Sequence, residues 1–166
     1  MPAPDGVRTA DVQRHVERIL GEETRLLGEL EQLLRGEAEV LRGDDAEAIE
    51  RIGSSRHHCI EALTRLDAER RAACQLAGGG SGGGDFERLL GWCDPSRQLH
   101  ARWQGNLAIA RRCKEQNDRN GAVVTARLNR VQQLLAQLRG ATPPATYGPG
   151  PAANAALFGH RDFGSA

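Results

Sequence analysis

Several things that a functional class would need are scarce in this chain. Its 22 basic residues, all Arg but for Lys114, are matched by 22 acidic ones. With no net charge, no long-range field draws the protein to nucleic acid or to an anionic bilayer. The arginines are interleaved with Glu as on solvated helix faces, and the abundance of Arg, Ala, Gly and Pro is also what a GC-rich coding sequence produces. Aromatic residues make up only 4% of the chain, which leaves a narrow core of Leu, Val, Ile and Ala. No stretch approaches the roughly 20 apolar residues that span a bilayer, and residues 1–8 carry no apolar segment followed by a cleavage site. A cytoplasmic location without membrane insertion is predicted. Cys59, Cys74, Cys93 and Cys113 lack the close spacing of a zinc site and fall within helical patterns, so reduced, partly buried thiols are expected.

Signals for catalysis are equally thin. His57 and His58 are adjacent, so on a helix they point about 100 degrees apart and cannot jointly grip one ion. Cys59 beside them does not gain the hydrogen-bond geometry of an activated nucleophile from adjacency alone. Asp44 with Asp45, and Glu22 with Glu23, are explained by helix caps and solvated faces. The glycine run at 78–84 has no preceding strand and no Lys with Ser or Thr, so it reads as a flexible connector and not as a phosphate cradle. No enzyme, catalytic residue, cofactor or metal is predicted.

What the chain does have is helical periodicity, within a length that allows one domain. A first helix at about 9–42 starts near Thr9 and carries Val16, Ile19, Leu20, Leu26, Leu27, Leu30 and Leu34 on one face, with Glu23 and Glu37 breaking the stripe on heptad positions. Gly43 as a C-cap and Asp44 with Glu47 as a capping box predict a short joint to a second helix at 44–76, and therefore an antiparallel hairpin. Arg56 and Arg70 stand on seam positions of that helix and are expected to snorkel, stem on the apolar surface and guanidinium in water. A short element at 85–92 closes over the bundle end. Asp94 followed by Pro95 predicts the start of a last helix at 95–139.

That last helix is the most telling segment. Trp103, Ala110, Asn117, Val124, Val131 and Leu138 keep one heptad phase, while Leu99, Asn106, Cys113, Asn120, Arg127 and Leu134 keep another. Neither slips at Asn120-Gly121, a pair that ordinarily signals a turn. One uninterrupted helix is predicted, longer than the hairpin, with a polar collar of Asn106, Asn117 and Asn120. The fold class is all-α: an elongated antiparallel bundle or coiled coil of two hairpin helices and one longer helix, with a short connecting helix. Residues 1–142 form a single helical domain, and 143–166, rich in Pro, Gly and Ala, form a disordered tail.

The stretch from Cys113 through Asn117, Asn120 and Gly121, the Val and Leu stripe that ends at Leu138-Arg139-Gly140, and the Tyr147-Gly148-Pro149 that follows resemble the FlgN family of flagellar type III export chaperones. The shared features are an N-x-x-N-G core, a leucine-rich helical end and a Tyr-Gly coda, and the resemblance covers about residues 9–150. It implies a protein that holds the hook-filament junction proteins FlgK and FlgL before export and hands them to the gate component FlhA. On that reading Val124, Leu128, Val131, Leu134, Leu135 and Leu138 form the client surface, because a helix outreaching its hairpin leaves an apolar end uncovered. Tyr147 is the candidate export-gate contact. Asn117, Asn120 and Gly121 are structural, the amides fixing register and the glycine permitting close helix approach. Two other readings stay open: a coiled-coil adaptor acting as a constitutive oligomer, a homodimer included, and a thiol or metal protein using Cys59, Cys93 and His57 or His58.

Overall fold

The computed structural model describes residues 9–78 and 83–140, and the expectations for 143–166 and for Tyr147 lie outside them. Four helices follow one another: α1 (Thr9–Val40), α2 (Ala46–Leu76), α3 (Gly83–Cys93) and α4 (Gln98–Leu138). Among the described residues there is no strand, and no helix is long and apolar enough to cross a membrane.

Hydrogen bonds fix the directions. Cys59 Sγ on α2 reaches the Leu26 carbonyl on α1 at 3.3 Å, and Arg18 pairs with Glu69, so α2 runs back along α1. On α4 the side chains of Asn106, Cys113 and Asn120 meet the carbonyls of Leu20, Leu27 and Leu34, in that order and at a constant spacing of 86 residues. A constant difference means that α4 runs parallel to α1. Helix α1 is therefore the central element, packed by α2 on one side and α4 on the other, while the backbones of α2 and α4 stay further apart and the two helices meet through Arg56 with Asn117 and Arg70 with Trp103.

The core has two parts. Val16, Leu20, Ala73, Cys74, Phe86, Leu89, Leu90, Leu99, Trp103 and Leu107 pack where α3 meets the bundle. Leu26, Leu27, Leu30, Leu34, Cys59, Leu63, Leu66, Ala110 and Cys113 fill the hairpin. Helix α3 is held by Phe86, which meets Trp103 edge to face with ring centroids 4.9 Å apart.

Three local expectations are corrected. Helix α4 does not begin at Pro95: a turn intervenes, Arg97 takes a left-handed φ of 59°, and the first helical residue is Gln98. Asp94 still caps, from further back, its Oδ2 accepting from the amides of Leu99 at 2.7 Å and His100 at 3.3 Å. At the hairpin the N-cap is Asp45, whose Oδ1 accepts from Ala48 N at 2.9 Å, and α1 ends at Val40, with Gly43 N bonded to the Val40 carbonyl at 3.0 Å. Finally, Arg56 and Arg70 do not snorkel. Arg70 lies across the rings of Trp103 and Phe86, 4.7 and 5.1 Å from their centroids, and pairs with Asp67. Arg56 turns inward to Asn117 and Glu37. Fixed carboxylates, amides and π faces inside the bundle replace the water that a snorkelling head would seek.

Candidate functional site

Helix α4 changes character at the Asn-x-x-Asn-Gly stretch. Up to that point every heptad contributes buried residues: Leu99, Trp103, Asn106, Leu107, Ala110, Cys113, Asn117 and Asn120. Beyond it Ala136 is the one buried residue of the helix, although the apolar heptads continue. Val124 is 41% exposed, Leu128 58%, Val131 53%, Leu134 51%, Leu135 44% and Leu138 84%. The six side chains singled out from the sequence therefore stand together on one solvent-facing flank, with Val123 beside them.

For the residues beyond Arg127 the reason is length. The hairpin turns at Gly43, whose carbonyl accepts from Arg127 Nη1 at 3.0 Å. Past Arg127, α4 continues for about 16 Å at the helical rise with no hairpin beside it. At the base of this overhang Glu37 from α1, Arg56 from α2, and Asn117, Asn120, Gly121, Val124 and Thr125 from α4 line an open cleft of about 250 Å³.

The asparagine collar is hydrogen-bonded throughout. Asn106, 2% exposed, donates through Nδ2 to the Leu20 carbonyl and to Glu23 Oε2, both at 3.1 Å. The Thr24 hydroxyl lies 2.7 Å from both Asn106 Oδ1 and the Leu20 carbonyl and can donate to either. Asn120 repeats the arrangement, its Nδ2 donating to the Leu34 carbonyl at 2.9 Å and to Glu37 Oε2 at 2.8 Å, while its Oδ1 accepts from Gln116. Asn117 Oδ1 accepts from Arg56 Nη1 at 2.8 Å, and Arg56 Nη2 stands 3.5 Å from Glu37 Oε1. Asn106 and Asn120 each read both a backbone position and a carboxylate of α1, so α4 cannot slide by one heptad along α1 without separating buried polar groups from their partners. Gly121 is half-buried on the cleft wall.

The thiols have the opposite character to a reactive site. Burial pushes Cys59 and Cys113 up to about 11 and raises Cys74 and Cys93 as well, which keeps the nucleophilic thiolate scarce near neutrality. His57 and His58 both face Glu61 on the exposed side of α2. Among the described residues no group of His, Cys, Asp and Glu is arranged to hold a metal ion. What the described residues of α4 present is a helix with one apolar flank.

A family model described as FlgN protein matches residues 14–154. The chain belongs to the FlgN family. The match runs over α1, α2, α3 and α4 together, the Asn-x-x-Asn-Gly stretch and the exposed flank included. No curated protein and no solved structure matches significantly. Membership makes this chain a chaperone of flagellar biogenesis.

Sequence reasoning missed two contributors to this region. Glu37 and Arg56 were read as a break in a stripe and as a snorkelling cation, yet both line the cleft. The available signal was spacing: Glu23 and Glu37 are separated by the same two heptads as Asn106 and Asn120, as expected of partners on parallel helices.

Proposed function

We propose that the exposed flank of α4, formed by Val124, Leu128, Val131, Leu134, Leu135 and Leu138, captures the amphipathic terminal segments of the hook-filament junction proteins FlgK and FlgL. The complex forms in the cytoplasm, prevents premature association of these segments and delivers them to the export gate component FlhA, with Tyr147 as the gate contact. The helical part, 1–142, acts as one folding unit. One observation carries this reading: burial on α4 ends near Asn120 while the apolar heptads run on to Leu138. A contiguous apolar flank on a soluble helix exposes surface that a partner helix can cover.

A guest segment that is disordered when free orders itself on binding and so forfeits about 2–5 kcal/mol of its gross contact energy. The complex is consequently tight enough to shield the segment and weak enough to release it. The polar layers contribute rigidity: α4 is held in register by Asn106 and Asn120, so its overhang is presented in one orientation.

The test is a co-expression pull-down of FlgK- and FlgL-type C-terminal segments with the full chain and with Val131→Glu/Leu138→Glu. A charge at each of these exposed positions leaves the helical fold intact by circular dichroism and abolishes capture. Capture unaltered in a folded double variant refutes the placement of the surface. Light scattering separates the adaptor reading, which requires constitutive self-association of the chain alone instead of a defined one-to-one complex.

A further inference from the structure

Two layers of the bundle are built alike. On α4, Trp103 and Asn106 recur two heptads later as Asn117 and Asn120; on α1, Leu20 and Glu23 recur as Leu34 and Glu37; on antiparallel α2, Arg70 recurs as Arg56. In both layers an α4 asparagine bonds an α1 carbonyl and carboxylate. In both, an α2 arginine leans across to α4, Arg70 onto Trp103 and Arg56 onto Asn117. The layers differ in one respect. In the first, α3 supplies a fourth wall, and Phe86 lies beneath the Arg70 guanidinium. In the second, the cleft of about 250 Å³ opens beside Arg56 and Asn117.

We propose that this cleft is the anchor pocket of the docking surface: an amphipathic helix of the client lies against the bundle at the second layer as α3 packs on α1, α2 and α4 at the first, seating one aromatic side chain against Arg56. The inference rests on the client-binding reading of the α4 flank and adds the point at which the guest is fixed. The volume suits the occupant, since a cavity of about 150 Å³ already holds a benzene ring. So does the chemistry. A guanidinium held by the Asn117 amide oxygen at 2.8 Å and by the Glu37 carboxylate at 3.5 Å keeps a face for a π system, as Arg70 does for Phe86. Val124, which belongs to both the cleft and the flank, makes the two continuous. A guest anchored there extends its remaining apolar face along Leu128, Val131 and Leu135.

Calorimetric titration of the full chain with a synthetic C-terminal segment of a FlgK-type protein tests this. Gly121→Leu and Thr125→Trp each fill the cleft without touching the distal flank. Each weakens binding at least tenfold with no loss of thermal midpoint. Replacing one aromatic residue of the peptide by Ala weakens binding comparably, and the two losses do not add, because both remove the same contact. Wild-type affinity in the filled variants, together with loss of binding in Val131→Glu/Leu138→Glu, overturns the pocket and leaves the flank standing. Wild-type affinity in all three variants overturns the flank as well. Should a filled variant unfold, the peptide arm decides alone: a segment stripped of aromatics that binds as tightly as the native one refutes the anchor. Two other occupants are covered as well: in sedimentation of the chain by itself a dimer dispersed by Gly121→Leu assigns the cleft to a second copy, and in the titration binding sharply strengthened by deleting 141–166 assigns it to the chain's own terminus, either result overturning the proposal.

Discussion

Replacing Asn106 by Leu isolates what the polar collar does. The side chain is 2% exposed and donates to a buried carboxylate, Glu23 Oε2, and to the Leu20 carbonyl, each at 3.1 Å. A hydrogen bond to a charged group contributes about 1.5–3 kcal/mol and one to a neutral carbonyl about 1 kcal/mol. Burying the leucine offsets about 1–2 kcal/mol of that loss. The net destabilisation of Asn106→Leu is therefore about 2 kcal/mol, or a fall of about 4–8 °C in thermal midpoint for a chain of this size. Most of it comes from leaving Glu23 buried without its amide. The companion Glu23→Leu/Asn106→Leu removes carboxylate and amide together, and is at least as stable as the single variant and close to wild type or above it, because paired buried polar groups often yield to apolar ones without loss. Urea unfolding followed by far-UV circular dichroism measures both. A double variant less stable than either single one refutes the reasoning, since it would mean that the layer stabilises the bundle by more than mutual satisfaction of its own groups.

Two further outcomes follow from the capping turn and the thiols. Asp94 is held below the usual carboxylate range chiefly by the Ser96 hydroxyl and also by the Leu99 and His100 amides. Its folded-state value is depressed, so its stabilisation is fully present above the unfolded value, near 3.8, and fades as pH falls through the folded one. Asp94→Ala consequently has a lower thermal midpoint than wild type at pH 7, with the gap closing in strong acid; a gap independent of pH sinks the assignment. The four cysteines react slowly with a thiol reagent at pH 8 in the folded protein and rapidly in denaturant, because burial raises all four and holds Cys59 and Cys113 at about 11. Fast labelling of any of them in the native state contradicts that environment.

Much of the fold was legible because heptad phase is a property of the side chains alone. The persistence of Val124, Val131 and Leu138 in phase with Trp103 predicted one helix through Asn120-Gly121, and α4 runs unbroken from Gln98 to Leu138. A turn there would have given up the amide bonds that Asn120 makes to α1. The start of α4 was misread because Asp94 caps the amides of Leu99 and His100 across an intervening turn, a geometry that depends on the left-handed Arg97 and not on any residue pair. Arg56 and Arg70 were misread for a related reason. Snorkelling is the expectation when only the helix carrying the arginine is known, whereas, Asp67 beside Arg70 apart, their partners lie on α1, α3 and α4. The exposed flank was legible from helix lengths; the cleft was not, since its walls come from three helices whose relative rotation no single periodicity reveals.

The polar layers bear on why the exposed end can exist at all. A long helix with an uncovered Leu and Val flank gains by sliding until that flank is buried, and a seam made only of leucines resists such a shift weakly, since one apolar heptad substitutes for another. Moving α4 back by one heptad along α1 would set Cys113 against the Leu20 and Glu23 layer and Asn120 against Leu27, breaking the bonds that the two asparagine amides make to Leu20, Glu23, Leu34 and Glu37, at about 1–3 kcal/mol for each buried amide separated from its partners. Two such layers, one between the core clusters and one at the base of the overhang, make a one-heptad slip unfavourable by several kcal/mol on the same basis. Stability is thereby exchanged for position. The asparagines oppose the retreat of the apolar end, which keeps it available to the guest helix proposed above.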